Sequence, residues 1–478
     1  MAQGHMIPFT SLAKRITESN PSMKITIVNT PLNIQSLKTT LSSFPNISLS
    51  ALPFDAARHG LPPNSENTDT LTPVHTVRLF HASQSLQPHF HALIAKLIAT
   101  VRKTPICIIS DVFFGWAVEI AECFGIAHVG FSTGGAYGTA VYFSIWMNLP
   151  HRRTDAEEFG IDGFPEEIKI CRSHLHPNLL AADGSDDWSV FFQKQISLTL
   201  KSDGLICNSI EEVEPLGLQL LRQNTGVPVW PVGPLLPLQW LESLFSGSGL
   251  RGDGKKSGIE IEKCMEWLDS KAEDSVLYIS FGSQNTISAP QMMELAKGVE
   301  FTKTPFVWVI RPPMGFDLGE KFRPEWVPEG FGENKNGLLI HGWGPQLEIL
   351  QHRSVGGFLS HCGWNSVLES LSQGVPIIGW PLRAEQSYNA KMLVEEMGVC
   401  VEMARGAGSR IDAGEVEKVI KVVMGREGKG QEMRRRAGEI GEKIRRSVRD
   451  DGEDGQRGSS VVALEAFLGF LMSKRELH

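Results

Sequence analysis

Short apolar runs, each bounded by turn residues and followed by a segment of helical spacing, recur along the chain. Lys24–Val28, Ile106–Ser110, Ile126–Phe131 and Gly204–Asn208 form a first set. Trp116–Phe124 has helical spacing after the second run, and Glu211-Glu212 reads as an acidic helix start after the fourth. Val276–Ser280, Phe306–Ile310, Gly337–Ile340, Gly356–Leu359 and Pro376–Gly379 form a second set. Short apolar strands that alternate with helices predict parallel sheets covered on both faces.

The rhythm breaks in the middle. Pro228–Pro237 (PVWPVGPLLP) excludes a central strand or a helix interior, and Ser246–Gly258 (SGSGLRGDGKKSG) has the composition of a flexible linker. An amphipathic helix resumes at Cys264–Leu268. A second polar stretch, Asp450–Ser459, precedes the apolar segment Val461–Met472, which must bury its face somewhere. The expected organisation is a domain over 1–235, a linker over 236–258, a domain over 259–450 and a late helix over 459–473 that packs back on the first domain. In open α/β sheets ligands sit at the carboxyl ends of strands, so the chemistry is expected in those loops and in a cleft between the domains.

A chain of 478 residues exceeds what one core usually serves, which agrees with two domains. The charge balance, 46 − 54 = −8, disfavours a nucleic-acid partner. Seven cysteines with no C-x-x-C pair argue against a disulfide framework or zinc ribbon and for a reducing compartment. No basic n-region precedes Phe9, and the charge-free stretch Cys123–Phe143 is interrupted by Gly125, Gly130, Gly134, Gly135 and Gly138. A cytoplasmic monomer with no integral membrane segment is therefore expected.

Several motifs fail on context. Gly247–Gly252 matches G-x-G-x-x-G but lies inside the polar linker, with no strand before it. Gly130–Gly134 matches G-x-S-x-G, yet the glycine-rich Gly134–Gly138 is a poor helix start for a nucleophile elbow at Ser132. No D-x-D pair, metal-ligand spacing or P-loop is present, so neither a metal nor a cofactor is expected.

The strong constellation is Trp343–Gln386, WGPQLEILQHRSVGGFLSHCGWNSVLESLSQGVPIIGWPLRAEQ. A buried strand, Gly356–Leu359, leads into Ser360–Ser366, and a helix is expected from Val367 with Asn365 and Ser366 as its caps. Gly363 allows close approach, and a helix N-terminus beside His361 and two small polar side chains is an anion site suited to a diphosphate. Glu369, one turn further on, could accept both hydroxyls of a ribose. Trp343 could stack on a base while Gln346 pairs with its edge, and Glu385-Gln386 suit adjacent sugar hydroxyls.

These 44 positions resemble the signature box of the plant family 1 UDP-sugar-dependent glycosyltransferases, including HCGWNS at 361–366 and the terminal Glu385-Gln386. Gly4–Pro8 resembles the family's G-H-x-x-P loop, Ser110–Trp116 its acidic strand end and Ser280–Ser283 its S-F-G-[ST] loop. The resemblance implies α/β architecture of GT-B type, with two Rossmann-like doubly wound domains facing a cleft. It implies His5 as general base and Asp111 as its charge partner, with inverting, metal-independent transfer from the co-substrate UDP-glucose to a hydroxyl of a small lipophilic acceptor, a phenol or another secondary metabolite. It further implies donor contacts from Thr133, Ser280, Ser283, Trp343, Gly344, Gln346, His361, Gly363, Trp364, Asn365, Ser366, Glu369, Glu385 and Gln386, the last resembling glucose users. Three departures stand out. Members carry an apolar first strand before the G-H-x-x-P loop, which is expected to be missing here; Gly344 replaces Ala or Cys, with little expected effect; and Arg383 is expected to face solvent. Two rivals remain at this level: a UDP-sugar-binding protein with impaired turnover, and a nucleotide-sugar epimerase.

Overall fold

A computed structural model describes residues 3–68, 71–237, 240, 258–316, 320–332, 335–450 and 457–476. The linker expected at 236–258, with the Gly247–Gly252 motif inside it, falls almost wholly outside the described residues. So does most of the polar stretch before the last helix. The chain divides into two compact units, Met1–Leu238 with Arg446–His478, and Gln239–Arg445. The second unit thus ends at Arg445 rather than 450, within the helix Lys429–Ser447.

The first unit opens with a helix, Gln3–Ser19, so the Gly4–Pro8 segment is helical rather than a loop. Its strands are β1 (Ile25–Asn29), β2 (Ile47–Ala51), β3 (Cys107–Asp111), β4 (Ala127–Ser132), β5 (Glu158–Gly160), β6 (Lys169–Cys171), β7 (Gly204–Cys207) and β8 (Val229–Pro231). One parallel sheet runs β3-β4-β7-β8, β1 pairs β2 in a separate parallel ladder, and β5-β6 is a small antiparallel pair. The proline-rich stretch supplies only β8, at a sheet edge where missing ladder donors are tolerated. Among the described residues no strand precedes β1, and β1 and β3 each pair on one side only. The helix after β7 is Pro215–Thr225, not one begun at Glu211-Glu212; proline, with its preset φ and no N–H to satisfy, takes the first turn. The last helix, Ser459–Glu476, buries Leu464, Phe467, Leu468 and Leu471 in one cluster with Val129, Phe131, Ile206 and Trp230 of the sheet and Leu12 and Ile16 of the opening helix.

The second unit contains β9 (Val276–Ser280), β10 (Phe306–Ile310), β11 (Gly337–His341), β12 (Val355–Ser360), β13 (Ile377–Gly379) and β14 (Cys400–Glu402), all parallel in the order β11-β10-β9-β12-β13-β14. Every residue of β9, β10, β12 and β13 is buried, as a sheet covered on both faces demands. Alternation sorts the side chains. Leu277, Ile279 and Trp308 pack with Leu295, Val299, Val416 and Ile420 on one face, while Tyr278, Val307 and Phe358 pack with Cys264, Leu268 and Ile349 on the other. The chain winds outward from β9 in one direction and from β12 in the other. Ser280 lies opposite Ser360 at the point where the order reverses, and this is where a doubly wound sheet opens a ligand crevice.

Candidate active site

At that switch point Ser280 ends β9, Gly282 turns the chain at φ 75° and Ser283 is half-buried. His361 follows β12 and packs its ring between two glycines. A Cβ on Gly282 would lie 2.6 Å from His361 Cε1, and one on Gly363 would lie 2.4 Å from His361 Nε2. Burial, reinforced by the charge of Arg311, pushes this imidazole down to about 4, so it is neutral and offers one N–H. Its Nδ1 is buried and makes no hydrogen bond among the described residues. The next helix is Trp364–Ser372, with Gly363 at the N-cap and no side-chain cap. Asn365 and Ser366 are therefore not caps but first-turn residues, and Trp364 is buried. A helix N-terminus beside a neutral imidazole N–H suits an anion. Two non-glycine residues in this region, Cys362 (φ 60°) and Ala384 (φ 53°), hold left-handed backbone, the kind of strain that binding sites retain.

Gln346 begins the short helix Gln346–Gln351, and its amide joins residues distant in sequence. Nε2 donates to Ser366 Oγ at 3.0 Å and to the Glu369 carboxylate, while the Tyr278 hydroxyl donates to Oε1 at 3.1 Å. Trp343 is half-buried. Gly344 is closely packed: a Cβ there would lie 2.5 Å from Val309 Cγ2 of β10, so a larger residue at this position requires the valine to shift. Glu385 stands half-buried at the start of the helix Gln386–Glu395. Gln386 is buried, and its Oε1 accepts from the amides of Leu382 and Arg383, both at 2.9 Å, which turns Nε2 the other way. Arg383 is exposed.

In the first unit His5 occupies the opening turn of its helix, and its Nδ1 bonds Asp111 Oδ2 at 2.6 Å across 106 positions of sequence. The Asp111 side chain is fully buried at the end of β3, with Oδ1 accepting from the Phe113 amide at 2.9 Å. A carboxylate so fixed holds the proton on Nδ1 and makes Nε2 the basic nitrogen. Phe113 is half-buried with its ring 5.9 Å from His5, and Tyr142 and Phe192 lie 5.8 and 5.1 Å from Phe113. These aromatics were missed from sequence, although Phe113 stands two residues beyond Asp111. Thr133 follows β4 and is buried, and the Ser132 hydroxyl is occupied by Thr139 at 2.6 Å, so no nucleophile elbow exists here. Among the described residues no three His, Cys, Asp or Glu side chains could hold a metal ion, and no helix is long and apolar enough to cross a membrane.

Two Rossmann-like units, one with its polar groups gathered at a topological switch point, define a glycosyltransferase architecture of GT-B type. The family model described as "UDP-glucoronosyl and UDP-glucosyl transferase" matches residues 252–432. Crocetin glucosyltransferase 3 of Crocus sativus is 48% identical over 432 residues, covering 88% of this chain and 89% of that protein. UDP-glycosyltransferase 92A1 of Arabidopsis thaliana is 41% identical over 485 residues, covering 99% and 96%. Among solved structures, UGT73P12 of Glycyrrhiza uralensis, complexed with glycyrrhetinic acid 3-O-monoglucuronide, aligns with TM-score 0.81 at 29% identity, covering 100% of this chain and 95% of that one. UGT71G1 of Medicago truncatula, complexed with UDP-glucose, aligns with TM-score 0.79 at 26% identity, covering 98% and 96%.

The chain belongs to the plant family 1 UDP-glycosyltransferases. It is an enzyme of glycosyl transfer to small-molecule acceptors, with the UDP-sugar as co-substrate.

Proposed function

We propose that the chain transfers glucose from UDP-glucose, with inversion, to a hydroxyl of a planar lipophilic acceptor, phenols being the first class to test. The observation that carries this reading is the His5–Asp111 pair at 2.6 Å. Nε2 takes the acceptor proton as the acceptor oxygen bonds to the anomeric carbon, and the bond from that carbon to the UDP oxygen breaks. Attack opposite the leaving group gives the β-glycoside, and Asp111 stabilises the imidazolium. Phe113 beside His5, with Tyr142 and Phe192 packed on it, supports a flat acceptor.

On the donor side, the diphosphate would accept hydrogen bonds from His361, Asn365, Ser366, Ser280 and Ser283, with the Gly363 backbone close by. Trp343 would stack on uracil, Gln346 and the Gly344 backbone would hold its edge, and Glu369 would accept the ribose hydroxyls. Glu385, Gln386, Trp364 and Thr133 would serve the hexose. The turned Gln386 amide and the relatives named above, a glucosyltransferase and a complex with UDP-glucose, support glucose as the sugar. Seven free thiols suit a reducing, cytoplasmic setting.

The test is UDP release and glucoside mass, followed with UDP-glucose in the presence and absence of a phenolic panel. His5→Ala should lower turnover about 10²–10⁴-fold while UDP affinity stays within a factor of two. Sugar conversion without acceptor, or loss of UDP affinity in the variant, overturns the reading.

A further inference from the structure

One fully buried carboxylate has no part in this scheme. Glu214 lies between β7 and the helix Pro215–Thr225 and reaches the first turn of another helix, Ala136–Asn148, whose N-cap Gly135 provides no side chain. Its Oε2 accepts from the Ala136 amide at 3.0 Å and the Ser209 hydroxyl at 2.5 Å, and its Oε1 accepts from the Tyr137 amide at 3.1 Å. Gly217 allows this approach, since a Cβ there would lie 2.5 Å from the Tyr137 amide nitrogen.

The Glu214 cap is one of several ties on the same turn. Asn208 donates through Nδ2 to the Thr133 carbonyl at 3.3 Å and accepts at Oδ1 from the Leu235 amide at 2.8 Å. The Thr139 hydroxyl donates to the Gly135 carbonyl at 2.6 Å. Neighbouring segments thus hold the carbonyls of Thr133 and Gly135 and the amides of 136 and 137. Thr133 is itself buried within this turn.

We propose that Glu214 is a positioning residue for glycosyl transfer: by capping the helix Ala136–Asn148 from outside, it fixes the turn at 132–136 that carries Thr133. This rests on the donor contact proposed above for Thr133. Burial pushes the Glu214 carboxyl up to about 7, so toward mildly acid pH the carboxylate becomes a neutral acid whose O–H faces donors and whose acceptor strength is reduced. Titratable groups near it among the described residues include Tyr137, whose amide it accepts, and Cys207 of β7, whose thiol burial pushes well up and which also feels the Arg222 charge.

The experiment is a double-mutant cycle of Glu214→Gln and Thr133→Ala, read as KM for UDP-glucose, KM for acceptor and kcat, with melting temperature as the check on folding. In Glu214→Gln the amide nitrogen must face one of three donors, and donor KM should rise about tenfold with acceptor KM unchanged. In a Thr133→Ala background the same change should add nothing. Glu214→Asp, which keeps the carboxylate, should restore part of the loss. In wild type, donor KM should climb as pH falls through 7, and Glu214→Gln should remove that limb. If the glutamine variant does not fold, the wild-type limb and the aspartate variant decide. A silent Thr133→Ala overturns the Thr133 contact and this proposal with it. An effective Thr133→Ala beside a silent, or fully additive, Glu214→Gln overturns the proposal alone.

Discussion

Two of the buried histidines are pushed furthest toward the neutral ring, and their cost is a pH dependence of stability. His361 and His128 are both pushed from the ordinary 6.5 down to about 4, in each case chiefly by burial. His128 is held between Ser110 Oγ at 3.0 Å and Ser202 Oγ at 2.9 Å. The folded value lies below the unfolded one, so unfolding takes up a proton between pH 6.5 and 4. Stability is full above 6.5 and is lost as pH falls toward 4, on the order of 3 kcal/mol for each ring. Glu214 opposes them, since its folded value lies above the unfolded one and stability falls as pH rises from 4.5 to 7. Two rings against one carboxyl leave a net acid lability. Urea unfolding at pH 7 and pH 4.5 should show it, and His128→Gln should roughly halve the histidine share.

At the level of elements, the glycines that flank His361 set the donor loop. The ring occupies the space that a Cβ on either Gly282 or Gly363 would need. Gly363→Ala should therefore push the ring or open the helix N-terminus, and the UDP Kd should rise about 10-fold or more by titration calorimetry. The strand cores were legible in sequence because β7, β9 and β10 are nearly continuous apolar runs, and β4 and β12 are interrupted only by His128, glycines and a terminal serine. β2, β14 and the β5-β6 pair were not, because they are short or mixed and half-exposed, so no periodicity marks them. In the site, the Trp343–Gln386 box was legible as local sequence. Tyr278 and Glu214 were not, because each acts through a fold contact, 68 residues away for Tyr278 and 77–78 for Glu214. The helix start after β7 was misread because charge at 211–212 is a weaker signal than Pro215 at the first turn.

At the level of the whole chain, the last helix belongs to the first unit although the second unit separates them in sequence. Phe467 is fully buried, and its ring lies 5.3 Å from that of Trp230 on β8. Lys474 pairs with Asp203 at 2.6 Å, and Ser460 donates to the Gly233 carbonyl. The same cluster takes in Leu12 and Ile16 of the helix that carries His5. Phe467→Ala opens a cavity that costs about 3–5 kcal/mol. Because the loss is local, hydrogen exchange should quicken in β4, β7, β8 and the helix Gln3–Ser19 while β9 to β14 keep their protection. The kinetic consequence is equally specific: kcat should fall, because the His5 helix loosens against Asp111, and UDP affinity should hold, because the box lies in the other unit. Uniform loss of protection across both units, or a UDP Kd that weakens in step with kcat, would show that the last helix supports more than the fold and the general base of the unit it returns to.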